Sequence, residues 1–275
     1  MCISAKNIEN IYKNGNIKKL VSNYKDISYE MAYPALCEAG KLCKDSPDIS
    51  HIKILALAVY GWMPTILDNM GYPEENNEDW ENKICSSVKN IIDNDGDLDN
   101  CSGDFDNLKT FVNNSYVGLS KFLHFLLPDK FAIWDSNVYI ALLGWQNDVL
   151  NKILNLEQNA DAKDGVIEDI IKTYSGSVQA HTNNKDNFLE YEKLIINYAK
   201  DNQINPRDVE KHLFCFGKWL HNLANSLKNV ESAKEYKKFI NKPENETKTV
   251  EELKEAYDKK RYRILQEMIE KIRSV

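Results

Sequence analysis

Lys121, His124 and Asp135 are the residues of this 275-residue chain whose types and spacing can support covalent chemistry. Past Ser120, the run Lys121-Phe122-Leu123-His124-Phe125-Leu126-Leu127 is apolar except at Lys121 and His124. On a helix, residues three apart share one narrow face. Apolar residues fill the rest of the circumference, which describes a buried helix with a polar slot. Lysine is rarely buried without a reason. Desolvation disfavours its charged form, and a neutral amine is a nucleophile that can form a Schiff base. A plainer role is open too: the side chain can snorkel to water or pair with a carboxylate. Asp135 follows 14 residues after Lys121, in Phe131-Ala132-Ile133-Trp134-Asp135-Ser136-Asn137-Val138. It reads as the N-cap of the next helix. A helix break at Pro128 folds that helix back beside the first, which brings the carboxylate toward the amine.

The elements that must position this pair read as helices. Apolar spacing predicts them over 3–12, 17–24, 29–43, 52–70, 80–92, 119–127, 136–143, 147–156, 166–174, 187–200 and 206–227. Pro64 should kink or end the fourth. Thr249 and Glu252 form a capping box that starts a last helix. Its apolar stripe is Leu253, Tyr257, Ile264, Leu265, Met268 and Ile272, and Lys259 to Arg263 give it a basic patch. Segments 93–107 and 175–186 read as polar loops. Asp95, Asp97, Asp99 and Asp106 follow a calcium-loop spacing, but Asn100 stands where glycine is required. A solvated acidic loop is the simpler reading. No strand alternation runs beyond a few residues. The expectation is an all-α chain organised as one unit over 1–275. Its parts are an acidic insertion at 69–107, a hairpin and catalytic segment at 114–143, and an amphipathic helix at 249–275.

Charge and composition bound the function classes. The net charge is −7, which argues against nucleic-acid binding by the whole surface. Segment 69–107 holds 11 acids and 2 bases, so the rest of the chain sums to +2 and leaves room for a basic face. The six cysteines lack any CxxC pairing, so free thiols are expected and no metal site. No apolar run reaches the roughly 18–20 residues that span a bilayer. The start shows no basic, then apolar leader. A cytoplasmic protein with no membrane partner is expected.

The segment resembles the helix-hairpin-helix DNA glycosylases, the superfamily of endonuclease III and 8-oxoguanine glycosylase. Val117-Gly118-Leu119-Ser120-Lys121 resembles the hairpin and its catalytic lysine, with the hairpin glycines reduced to Gly118. Ile133-Trp134-Asp135-Ser136-Asn137-Val138 resembles the aspartate element. The wording looks closest to a bacterial group with the 8-oxoguanine glycosylase fold. The resemblance implies two interleaved helical subdomains and a monomer that takes double-stranded DNA with a flipped base, without a cofactor. It implies Lys121 as nucleophile and Asp135 as stabiliser of the sugar cation. Gly118, Ser120, His124, Trp134, Asn137, Lys218 and Trp219 are the candidate substrate-binding residues. Trp62 and Trp145 are further stacking candidates, and core packing is the plainer role for each tryptophan. Two other classes stay open. One is a non-catalytic helical nucleic-acid-binding or scaffold protein. The other is an N-glycosidase acting on RNA or a free nucleoside, which suits the acidic surface.

Overall fold

The computed structural model describes residues 4–24, 27–63, 65–68, 70, 77–155, 163–231, 242 and 249–273. Among these, the regular elements are all α-helices, as the spacing predicts. No described helix is long and apolar enough to cross a membrane. The helices fall into two compact units, each assembled from separated stretches of chain. The first takes Met1–Glu9, Tyr24–Ser136 and Gln179–Lys211; the second takes Asn10–Asn23, Asn137–Val178 and His212–Val275.

The first unit carries α3 (Ile27–Asp45), α4 (Ile49–Trp62), α5 (Asn77–Asp93), α6 (Ser102–Phe111), α7 (Tyr116–Leu126), the short α11 (Gln179–Thr182) and α12 (Lys185–Asn202). It also takes the start of α1 (Ala5–Lys13) and the first turns of α13 (Pro206–Glu231). Helix α7 packs against α3, α4 and α6, so it runs through the middle of the unit. Leu119, Phe122, Leu123, Phe125 and Leu126 are buried around it. Each such side chain contributes about 1.5–3 kcal/mol on leaving water.

The second unit carries α2 (Gly15–Ser22), α8 (Ser136–Gln146), α9 (Val149–Leu154), α10 (Lys163–Tyr174), the rest of α13 and α14 (Val250–Arg273). Leu213, Phe216, Leu220, Leu223 and Leu227 form the buried stripe of α13. Thr249 and Glu252 make the expected reciprocal bonds, at 2.8 and 3.2 Å. Among the described side chains of α14, Leu265 and Ile269 are buried. The side chains of Leu253, Tyr257, Met268 and Ile272 lie outside the described residues, as do Cys2 and Pro64. The other five cysteines are free thiols.

Three local expectations change. The helix expected over 52–70 stops at Trp62, just before Pro64. Segment 93–107, expected as a loop, contains the start of α6. Its Asp, Asn and Gly content reads as turn, but Phe105, Leu108 and Phe111 recur every third residue and are all buried. Burial of that face overrides local propensity. The segment 175–186 likewise holds α11 and the first residues of α12.

Candidate active site

The site grows from the turn between α6 and α7. Asn113 and Asn114 adopt left-handed backbone angles, with φ of 56° and 52°. Asparagine tolerates that region better than other residues with a side chain, so two asparagines make a turn that glycine usually makes. Ser115 then caps α7 by accepting from the Gly118 N–H at 3.2 Å. Gly118 is required by crowding. A Cβ there would sit 2.4 Å from the Tyr60 hydroxyl, which donates to the Val112 carbonyl at 2.9 Å.

After α7 the chain runs without regular structure through 131–134, and every residue of that run is pinned. The Phe131 carbonyl accepts from His124 Nδ1 at 2.7 Å. The Ala132 N–H donates to Glu192 Oε2 at 2.9 Å. The Ile133 carbonyl accepts from the Tyr191 hydroxyl at 2.9 Å. The Ser120 hydroxyl lies 3.0 Å from both the N–H and the carbonyl of Trp134. Ser120 precedes Lys121, and Trp134 precedes Asp135. One buried hydroxyl therefore ties the backbone next to Lys121 to the backbone next to Asp135.

Lys121 is partly exposed as a residue. The ammonium lies 6.0 Å from the Trp62 ring centroid, a cation–π distance. Among the described residues it makes no hydrogen bond or ion pair. Burial pushes its pKa below the usual lysine value; Asp135 and Glu210 pull it back up, and Arg207 pushes it further down. Burial is the largest of these effects. Asp135 itself is 8% exposed.

His124 is fully buried and satisfied at both nitrogens. Because the Phe131 carbonyl can only accept, Nδ1 carries the proton. Nε2 then accepts from the Tyr33 hydroxyl at 2.7 Å. Burial holds the ring neutral, with its pKa lowered to about 4. The Arg207 guanidinium lies 5.1 Å from the Tyr33 ring centroid, and Arg207 bonds Glu210 Oε2. Burial raises the Glu210 pKa to about 7, against the pull of Arg207. Burial also lifts Glu192 well above the ordinary carboxyl value, and its Ala132 bond only partly opposes this.

Lys121, Asp135, Gly118, Ser120, His124 and Trp134 thus share the first unit. Trp134 is wholly enclosed; its indole N–H donates to the Thr182 carbonyl at 2.8 Å and its ring lies 4.9 Å from that of Tyr191. Trp62 is partly exposed, with Phe125 edge-on at 5.4 Å. Asn137, Lys218 and Trp219 belong to the second unit. There, Gly217 lets α13 approach α8 so closely that a Cβ would lie 1.7 Å from the Asn137 carbonyl oxygen. Among the described residues no group of three or more His, Cys, Asp or Glu side chains could hold a metal.

No family model, curated protein or solved structure matches the chain. The site must therefore be read from its own chemistry. That chemistry includes four residues the sequence reading passed over: Tyr33, Glu192, Arg207 and Glu210. Two of them carried a signal. Glu192 sits on the apolar stripe Phe188, Tyr191, Ile195, Ala199 of α12, and Glu210 sits beside Val209 and Leu213 on the buried face of α13. An acid on an apolar stripe has no solvent to charge into.

Proposed function

We propose that this chain is a DNA N-glycosylase with Schiff-base lyase activity, acting on a damaged or modified base. The observation that carries this reading is the Ser120 bridge, which ties the backbone beside Lys121 to the backbone beside Asp135. It is supported by the depressed lysine pKa and by two helices, α6 and α7, joined through a tight turn.

The chemistry follows from those two groups. The target base leaves the stack to expose its glycosidic bond. The neutral Lys121 amine attacks C1′ of the sugar. The C1′–N bond breaks, and its electron pair leaves with the base, which takes up a proton. Asp135 stabilises the cationic character that develops on the sugar. The sugar ring then opens, O4′ takes a proton, and C1′ becomes an iminium joined to Lys121. Loss of a C2′ proton expels the 3′ phosphate by elimination. Trp62 offers a partly exposed aromatic face beside the amine for stacking.

Borohydride tests this directly. Hydride adds to the iminium carbon and leaves a stable secondary amine between protein and DNA. With a panel of duplexes carrying modified bases, the wild-type protein should form this adduct on at least one. Lys121→Gln should form none, a loss of about 10³-fold or more, and Ser120→Ala should form it more slowly. No adduct on any duplex would sink the lyase reading.

A second reading has one observation in its favour. The Gly118 amide, which a phosphate-gripping hairpin would present to DNA, is spent on Ser115. With a net charge of −7, this suits an N-glycosidase acting on RNA or a free nucleoside. Substrate binding that hardly changes with salt would favour that reading, because duplex binding releases counterions.

A further inference from the structure

Ile66 is 85% exposed, the most open of the large apolar side chains among the described residues. Met31, Leu42, Ile54 and Leu57 are the others, and each lies on α3 or α4. A lone apolar side chain on a surface ordinarily needs no explanation. What sets Ile66 apart is that its backbone is held while its side chain is not. Met63 is buried, and its carbonyl accepts from the Thr65 N–H at 2.8 Å. Asn113 then brackets the isoleucine. Its Nδ2 donates to the Ile66 carbonyl at 2.7 Å, and its Oδ1 accepts from the Asp68 N–H at 2.8 Å.

The bracket belongs to the turn that starts the lysine helix. Asn113 has a left-handed φ of 56° and stands two residues before Ser115, the cap of α7. The same turn is tied to α4, where the Tyr60 hydroxyl donates to the Val112 carbonyl at 2.9 Å. Asn183, just before α12, holds it from another side. Its Nδ2 donates to the Asn114 carbonyl at 3.1 Å, and its Oδ1 accepts from the Tyr116 N–H at 3.0 Å. All of these groups lie in the first unit. Ile66 comes four residues after Trp62, whose ring centroid is 6.0 Å from the Lys121 amine. Four residues span at most about 14 Å. The exposed isoleucine is therefore held within a short, fixed distance of the aromatic face and the amine.

We propose that Ile66 is a wedge: it enters a DNA duplex and fills the place in the base stack that the extruded nucleotide leaves. This rests on the glycosylase reading above and narrows its substrate to duplex DNA, because a free nucleoside has no stack to fill. Extrusion strips the target base from its neighbours. An apolar side chain set between the base steps covers the faces left open, and it obstructs the return of the base while Lys121 attacks. Such a side chain has to be in water beforehand, so that its burial is gained only in the complex. It also has to stand on fixed backbone, because ordering a loose loop on binding would offset the gain. Ile66 meets both conditions. The α6–α7 turn thus has a task other than gripping phosphate: its Gly118 amide is spent on Ser115, and its Asn113 holds the wedge.

The full chain is titrated by fluorescence anisotropy with two labelled duplexes of one sequence, one intact and one carrying a tetrahydrofuran abasic analogue. The analogue leaves an open place in the stack, and its sugar forms no Schiff base, so the difference in affinity reads the filling of that place. The wild type should bind the abasic duplex about tenfold more tightly or better. Ile66→Ala should bring the two affinities to within about twofold, and Ile66→Leu should keep the preference. Because Ile66 is so exposed, Ile66→Ala should not move the urea midpoint, which separates a lost wedge from a damaged fold. Asn113→Gly keeps the left-handed turn, loses both bracket bonds, and should weaken the preference with Ile66 still present; an unchanged preference overturns the bracket. A preference that survives Ile66→Ala overturns the wedge, and so does a wild type that binds the two duplexes equally. Borohydride trapping tells this failure from failure of the glycosylase reading. An adduct on a modified-base duplex that Ile66→Ala forms at the wild-type rate removes only the wedge. An Ile66-dependent preference without an adduct on any duplex removes only the lyase chemistry. A wild type that binds neither duplex removes both.

Discussion

Acidic side chains occupy two contrasting settings in the first unit. Around the start of α6, Asp95, Asp99 and Asp106 meet Lys130, Lys193 and Lys185, and each carboxylate is more than half exposed. Around α7, Glu192 and Glu210 are 0% and 1% exposed, and each keeps one unpartnered oxygen. Exposed pairs gain little, because water already solvates both charges. Buried carboxyls cost stability unless they are neutral or paired. The chain thus spreads its visible acidity over a surface where it changes little. It keeps two acids in the core, where they touch the segment leading to Asp135 and the charge on Lys121. A calcium-loop spacing drew attention to the first group, but its carboxylates are spent on lysines from neighbouring elements.

This contrast can be broken in three ways, beyond the complete loss of adduct expected of Lys121→Gln. The largest stability effect should come from Glu192→Ala. It removes the acceptor of the Ala132 N–H and leaves a void, at a cost of about 3 kcal/mol in urea unfolding. Glu192→Gln keeps an acceptor without a charge and should lose far less. An equal loss in both would mean that Glu192 is held as a charged group.

A comparable effect is expected at His124. Unfolded, the imidazole takes its proton near pH 6.5, and folded only near pH 4. Between those values the unfolded chain binds more protons, so stability falls as the pH drops. The whole window is worth about 3 kcal/mol. Glu210 tilts the other way. Its unfolded pKa of 4.5 rises to about 7 on folding, so stability falls as the pH rises through that range. The two slopes oppose each other between about 4.5 and 6.5, and the difference between wild type and His124→Gln isolates the histidine. A pH-independent difference would mean that the ring protonates without breaking its Tyr33 bond.

The smallest effect is expected at the surface. Asp99→Asn removes the partner of Lys193, where the side chains are 82% and 49% exposed. The unfolding midpoint should stay within error. A clear drop would show that the loop charges act as a network, and the contrast with the core acids would weaken.

Legibility followed the range of the interactions. The polar slot of α7 was visible because helical periodicity is local: about three turns of sequence are enough to see that Lys121 and His124 share a face. The capping box at Thr249 was visible for the same reason. The start of α6 was hidden because its Asp and Gly content suits a loop, and only packing of Phe105, Leu108 and Phe111 makes it a helix. The carbonyl and hydroxyl that satisfy His124 were also hidden. Tyr33 is 91 residues away from it in the chain, and no spacing rule reaches that far.

By itself, then, the sequence determined an all-helical chain, the place of the lysine on an apolar helix, and an aspartate at the head of the next one. These depend on neighbours within a few turns. Only the tertiary structure decided what surrounds them. It gave Ser120 both backbone groups of Trp134, closed Glu192 and Glu210 away from water, and set Arg207 and Tyr33 beside Glu210. Side chains from α3, α7, α12 and α13 meet there, and whether an acid is charged or neutral depends on how completely those helices exclude solvent.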